Sequence, residues 1–172
     1  MRYSNTIAVR RNGTILFKGT IYPCAIGKGG FVSPEKKQEG DGGTPLGTYP
    51  LRACFYRPDR VSKPNVPFPT YEINPAFGWC DDPAHPEYNR PVVLPFEARH
   101  EELWRKDSCY DIIIVIGYND EPVTPGKGSA IFFHLTDGKQ YKATEGCVAV
   151  SLEHMQEILR GITKTSQIKL GA

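Results

Sequence analysis

Short apolar runs, broken by glycine, proline and asparagine, set the pattern of this chain. Ile7-Ala8-Val9 and Thr14-Ile15-Leu16-Phe17 flank Arg10-Arg11-Asn12-Gly13, and Asn-Gly between two apolar runs is the strongest short signal for a β-hairpin. Ile21 to Ile26 reads as the next strand, Gly27 to Gly47 as a long glycine-rich loop, and Thr48 to Tyr56 as a return to strand. Residues 57–95 are rich in proline and aromatics. A loop of that length is usually functional or disordered, and its aromatics argue against disorder. Glu97 to Lys106 is expected to form a short helix that buries Ala98, Leu103 and Trp104. Ile112 to Ile116, between Asp111 and Gly117, is an unbroken apolar run of buried-strand length, and Ser129–His134 and Cys147–Val150 read as two more strands. Ser151 fits a helix N-cap, followed by an apolar stripe of Leu152, Met155, Ile158 and Leu159, with Gly161 as the stop. Gln167 to Leu170 closes the chain as a strand. The pattern predicts a mostly β domain with two short helices, a single domain over residues 1–172.

Composition narrows the class. At 172 residues, 40% of them hydrophobic and 23% charged, the chain can bury a core without staples. A net charge of +2 with no block of Lys or Arg gives no footprint for nucleic acid. No apolar run reaches membrane-spanning length, so no membrane partner is expected. The N-terminus runs into a strand pattern without a signal-peptide core. The five cysteines are odd in number and lack framework spacing, which reads as free thiols in a reducing compartment. The expected location is cytoplasmic, or periplasmic if an export signal has been removed.

The chemistry concentrates in Thr144-Glu145-Gly146-Cys147-Val148-Ala149-Val150, with His134 upstream at the end of an apolar run. A glycine before a cysteine lets the backbone approach closely or take φ > 0, and the amides of the turn can then face a developing oxyanion. A histidine near the thiol can take its proton and hold it as thiolate. A papain-like arrangement is disfavoured, because it places its Cys before its His and at a helix N-terminus. Gly40 to Gly47 lacks the Lys-Ser/Thr of a phosphate loop and reads as a structural turn. Cys80, Asp81, Asp82 and His85 match no standard zinc spacing, so neither a metal nor any other cofactor is expected. Cys24, Cys54, Cys80 and Cys109 read as inert, and His85, His100 and His154 as surface residues.

Three segments in order resemble the L,D-transpeptidase catalytic domain (YkuD type): Gly40-Asp41-Gly42-Gly43-Thr44-Pro45-Leu46-Gly47-Thr48-Tyr49, His134 at a strand end, and the Thr144-Glu145-Gly146-Cys147 turn. The resemblance implies a β-sandwich of two mixed sheets with short capping helices. It implies acyl transfer at the bond between diaminopimelate and terminal D-alanine in a peptidoglycan stem peptide or muropeptide, with carbapenem-type compounds as inhibitors. Cys147 is then the nucleophile and His134 the general base. The backbone carbonyl of Leu135 orients the imidazole, with Asp137 as a spare candidate. The amides of Gly146, Cys147 and Glu145 form the oxyanion hole, and Thr144 stabilises the turn or faces substrate. Two departures stand out: the family commonly has His where Glu145 stands, and Arg where Ala149 stands. Glu145 either recognises an amine on diaminopimelate or sits in solvent. Arg90, in a segment running from Gly78 to Pro91 that resembles a subgroup of the family, is the candidate to replace the missing Arg. Trp79 and Tyr118 are further candidates for substrate contact. The expected location favours hydrolysis, an L,D-carboxypeptidase of peptidoglycan recycling. The alternatives are a transpeptidase that cross-links stems or exchanges D-amino acids, and a non-catalytic muropeptide-binding domain.

Overall fold

The computed structural model describes residues 4–138 and 140–172. Its elements are β1 (Thr6–Arg10), β2 (Thr14–Phe17), β3 (Thr20–Pro23), β4 (Phe31–Val32), β5 (Thr44–Pro45), β6 (Gly47–Tyr56), β7 (Thr70–Glu72), β8 (Phe77–Cys80), β9 (Pro91–Val93), β10 (His100–Glu102), β11 (Ile112–Ile116), β12 (Phe132–Leu135), β13 (Val148–Val150), α1 (Leu152–Gly161) and β14 (Gln167–Leu170). The protein is mostly β, with mixed sheets, as expected. The Asn12-Gly13 hairpin forms, with Gly13 at φ 74° and Val9 opposite Ile15.

β6 organises the architecture. Its first half pairs antiparallel with β14, which continues through parallel β1 to β2 and β3. Its second half pairs antiparallel with β11, which leads to β12 and parallel β13, while β7 lies parallel along its other edge. The long strand thus passes from one mixed layer into another. Ala25, just past β3, bridges Ala149 of β13 and nearly closes the sheet on itself. Ile7, Val9, Ile15, Ile168, Ile112, Ile114, Phe133 and Val148 fill the space between the layers. Met155, Ile158 and Leu159 of α1 join the same core, and Ser151 caps the helix by accepting from His154 N at 3.2 Å.

The other face of β11 and β12 is buried too. Ile113, Val115 and Phe132 alternate with the inner residues and pack against Phe55, Trp79, Leu103 and Tyr110. This outer core is covered by a small sheet ordered β10-β8-β9, whose β8 and β9 come from the proline-rich region. The helix expected over Glu97–Lys106 is not formed. His100–Glu102 instead pairs antiparallel with Gly78–Cys80, which satisfies its backbone across strands. Leu103 is fully buried beyond that strand and Trp104 stacks under the Arg57 guanidinium, so two apolar residues that suggest a helix face serve a sheet edge. The described residues contain one helix.

Candidate active site

Strand periodicity brings the histidine and the cysteine together. In the parallel β12–β13 pair, Phe133 lies beside Val148 and His134 beside Ala149. Phe133, Leu135, Val148 and Val150 point into the inner core. By alternation, His134 and Ala149 face outward, the side on which Phe132 and Cys147 join the outer core. A cavity of about 610 Å³ opens there, lined by Cys147, His134, Tyr110, Glu101, Lys37 and Thr144 among others.

The cysteine turn is built as its sequence suggests. Gly146 has φ 137°, and a Cβ there would stand 2.9 Å from the Gly43 carbonyl, so the Gly40–Gly47 segment presses directly on the turn. Asp41 holds that segment, with Oδ1 accepting from Gly43 N at 2.8 Å and pairing with Lys37 Nζ at 2.7 Å. Thr144 braces the turn: its Oγ1 donates to the Cys147 carbonyl at 2.6 Å and accepts from Gly146 N at 3.1 Å. That bond occupies one of the three amides expected in the oxyanion hole. The Cys147 and Glu145 amides have no acceptor among the described residues. The Glu145 side chain is exposed and paired with equally exposed Lys28 at 2.8 Å. Such a pair contributes about 0–1 kcal/mol.

Nδ1 of His134 lies 2.8 Å from the Leu135 carbonyl. With Nδ1–H donating there, Nε2 is left as the basic nitrogen. Tyr110 stands edge-on to the imidazole, ring centres 5.2 Å apart. Asp137 is exposed and accepts from Ser108 instead, so it does not orient the ring. Cys147 Sγ donates to the Ala130 carbonyl at 3.2 Å and accepts from Phe132 N at 3.3 Å, and no hydrogen bond joins it to His134. Burial pushes the thiol up to about 12, with the Glu101 charge adding to it. Burial pushes the imidazole down to about 4. A standing thiolate beside a protonated histidine is therefore not the resting state. Burial favours the neutral form of both groups, and no partner offers either charge enough compensation. The proton must move as sulfur attacks.

Of the four candidates for substrate contact, Thr144 lines the cysteine cavity and the other three line a neighbouring one. Trp79, Tyr118 and Arg90 line a second cavity of about 480 Å³ on the outer face, with Ile131 forming part of both walls. Trp79 and Tyr118 are buried, and Arg90 is exposed at the rim. Arg90 thus lines the neighbouring cavity and not the one that holds Cys147 and Ala149. Trp79 and Tyr118 connect to the cysteine through Asn89, which the sequence did not single out. Buried Asn89 Oδ1 accepts from Trp79 Nε1 and from Ala130 N, both at 3.0 Å. Its Nδ2 donates to the Tyr118 and Asn119 carbonyls at 3.2 and 2.8 Å. Ala130 is held at φ 51°, a conformation a non-glycine residue rarely adopts, and its carbonyl is the one that meets the thiol. Glu101, Tyr110 and Lys37 were also missed. The first two come from the segment read as helix and its continuation, and buried Lys37 belongs to the loop before Asp41. Cys80, Asp81, Asp82 and His85 do not converge: Asp81 pairs with Arg99, and Asp82 and His85 bond the amides of Ala84 and Glu87. His100 and His154 are half-buried rather than on the surface, His154 packing on Tyr22.

No curated protein matches the chain. Among solved structures, Bd1075 of Bdellovibrio bacteriovorus is 18% identical with a TM-score of 0.49, covering 98% of this chain and 47% of that one. An L,D-transpeptidase from Mycobacterium smegmatis is 13% identical with a TM-score of 0.42, covering 97% of this chain and 58% of its own. An L,D-transpeptidase in complex with imipenem is 11% identical with a TM-score of 0.42, covering 95% and 57%. The chain thus spans about half the length of these proteins. The YkuD family model, the L,D-transpeptidase catalytic domain, matches residues 3–169, a span that takes in both layers, the cysteine turn and the histidine strand. The chain belongs to the family of L,D-transpeptidase catalytic domains.

Proposed function

We propose that the protein is a cysteine acyltransferase acting on the diaminopimelate–D-alanine bond of peptidoglycan stem tetrapeptides, and that water ends its cycle, making it an L,D-carboxypeptidase. The observation that carries this reading is the shared outward face of His134 and Cys147 at one cavity, with Nδ1 of the imidazole held by the Leu135 carbonyl. Sγ turns from the Ala130 carbonyl toward Nε2 and gives up its proton as it attacks the diaminopimelate carbonyl carbon. Free amides of the turn, that of Cys147 first, face the resulting oxyanion; such donors are worth about 3 kcal/mol each. Collapse breaks the C–N bond, His134 protonates the departing D-alanine nitrogen, and a thioester remains. Water then attacks the thioester, giving its proton to His134, and the thiolate leaves and is reprotonated. Five free cysteines suit a reducing compartment, where soluble muropeptides rather than polymeric wall are at hand.

The test is mass spectrometry of products from a muropeptide tetrapeptide, with Cys147→Ala in parallel. Tripeptide and free D-alanine, absent with the variant, are expected. A covalent peptide dimer would replace hydrolysis by cross-linking. Binding without turnover would leave a non-catalytic muropeptide receptor.

A further inference from the structure

The cavity beside Cys147 carries charges that the reaction described above does not use. Three of its cations are paired within the protein, Lys37 with Asp41 at 2.7 Å, Arg99 with Asp81 at 3.0 Å and Arg105 with Asp107 at 2.9 Å, while Lys142 is exposed at its rim. Two of its carboxylates are treated differently. Glu101 Oε2 accepts from Tyr110 OH at 3.0 Å, and Glu39 Oε2 accepts from Ser129 Oγ at 2.7 Å and from Tyr88 OH. Each Oε1 has no partner among the described residues, and neither carboxylate is in an ion pair. Tyrosine and serine hydroxyls thus fix one oxygen of each group and leave the other turned to open space.

Placement makes Glu101 the more telling of the two. β10 sets it opposite Trp79, so its side chain leans over the outer core toward the cavity. Tyr110, its partner, is the ring that stands edge-on to His134. A carboxylate here is costly. Burial raises the Glu101 carboxyl above the usual range, with the Tyr110 hydrogen bond and the Arg105 charge opposing it and the Asp81 and Glu39 charges adding to it. Nothing in the acid–base cycle of Cys147 and His134 needs it. A cation entering the cavity would remove both penalties at once.

We propose that Glu101, with Glu39 near it, receives the ammonium group on the substrate's diaminopimelate side chain, and so sets preference for stems that carry a free amine at that position. The inference rests on the acyl-transfer reading above. Of the two readings the sequence left open for Glu145, it takes the solvent one, since that side chain is exposed and paired with Lys28. In a tetrapeptide whose N-terminus is blocked by its sugar, the side-chain ammonium is the only free amine. It lies several bonds from the scissile carbonyl, which suits a receptor across the cavity from the nucleophile.

The test uses full-length protein in excess over substrate, so that D-alanine release reports acylation alone and no acceptor amine enters. Substrates are the muropeptide tetrapeptide and the same peptide acetylated on its diaminopimelate amine, each with wild type and Glu101→Gln. One charge-assisted hydrogen bond is worth about tenfold or more. Wild type should release D-alanine at least about tenfold faster from the free-amine peptide. Glu101→Gln should lose most of that ratio, the rate on the free-amine peptide falling toward that on the acetylated one, while removal of the charge that raises the Cys147 thiol moves both rates alike. Glu39→Gln should move the ratio in the same direction by less. Equal wild-type rates on the two peptides would overturn the inference and leave the acyl-transfer reading intact. So would equal slowing of both by Glu101→Gln. No release from either peptide by wild type would overturn both. Should Glu101→Gln fail to fold, the wild-type ratio and Glu39→Gln still decide.

Discussion

Replacing Asn89 with alanine tests how the nucleophile is held. Asn89 Oδ1 is the acceptor for two buried donors, Trp79 Nε1–H and Ala130 N–H. Orphaning a buried donor costs about 1–3 kcal/mol, so the pair accounts for about 2–6 kcal/mol. Asn89 sits at φ 58°, where alanine costs about 1 kcal/mol more than asparagine. A loss of about 4 kcal/mol is expected, since the neighbouring cavity admits some water to the orphaned groups. Urea unfolding followed by tryptophan fluorescence measures it. Asn89→Asp separates stability from positioning. It keeps an acceptor for Trp79 and Ala130 while losing the bonds to the Tyr118 and Asn119 carbonyls, and should cost about 2 kcal/mol. If the left-handed turn at Ala130 aligns the thiol, acylation of Cys147 should slow more than about tenfold in Asn89→Ala and less than about threefold in Asn89→Asp. Asn89→Ala within about 1 kcal/mol of wild type, or acylating at the wild-type rate, would refute the reasoning.

Gly146→Ala combines a φ of 137° with a Cβ 2.9 Å from the Gly43 carbonyl, whereas Gly126, at φ 77°, has nothing nearby. Thermal melts should show Gly146→Ala more destabilising than Gly126→Ala by about 1–2 kcal/mol; equal losses would contradict the packing. His134 is held near 4 against an ordinary 6.5, so the unfolded chain binds its proton more tightly between those values. Stability is therefore intact above about 6.5 and falls as pH drops toward about 4, by about 3 kcal/mol, and His134→Gln should flatten that slope in urea titrations across pH. An unchanged slope would place the acid-sensitive group elsewhere. Ser151→Ala removes the side chain that caps α1 and should cost about 1 kcal/mol in the same assay, while a loss below about 0.3 kcal/mol would mean the cap bond contributes little.

What could be read from the sequence was local. The Asn12-Gly13 hairpin, the Ile112–Ile116 strand and the Ser151-capped helix each carry their signal within a few residues, and each forms. His134 and Cys147 were legible because a Gly-Cys turn after an apolar strand has few other uses. β7 to β10 were not, because strands of three or four residues exist only through their partners. The same holds for His100–Glu102, where Leu103 and Trp104 mimic a helix face that the pairing with β8 overrides. Asn89, Glu101 and Lys37 come from three separated segments, and only the fold shows that Glu101 and Lys37 share the cavity of Cys147 while Asn89 holds the residue whose carbonyl meets the thiol. A polar residue next to a tyrosine in the aromatic loop was the one available hint of Asn89. The placement of Trp79, Arg90 and Tyr118 at the neighbouring cavity was illegible for the converse reason: nearness in sequence to a family-like segment does not say which face of the outer core a side chain reaches.

Cys147 as the attacking atom is the claim on which the rest depends. Intact-protein mass spectrometry after brief exposure to a muropeptide tetrapeptide or a carbapenem, with peptide mapping, tests it most directly. One acyl adduct on the peptide carrying Cys147, missing in Cys147→Ala and slowed in His134→Gln, is the predicted result. D-alanine release undiminished in Cys147→Ala, or an adduct on Cys109, the one cysteine among the five that is not buried, would contradict it.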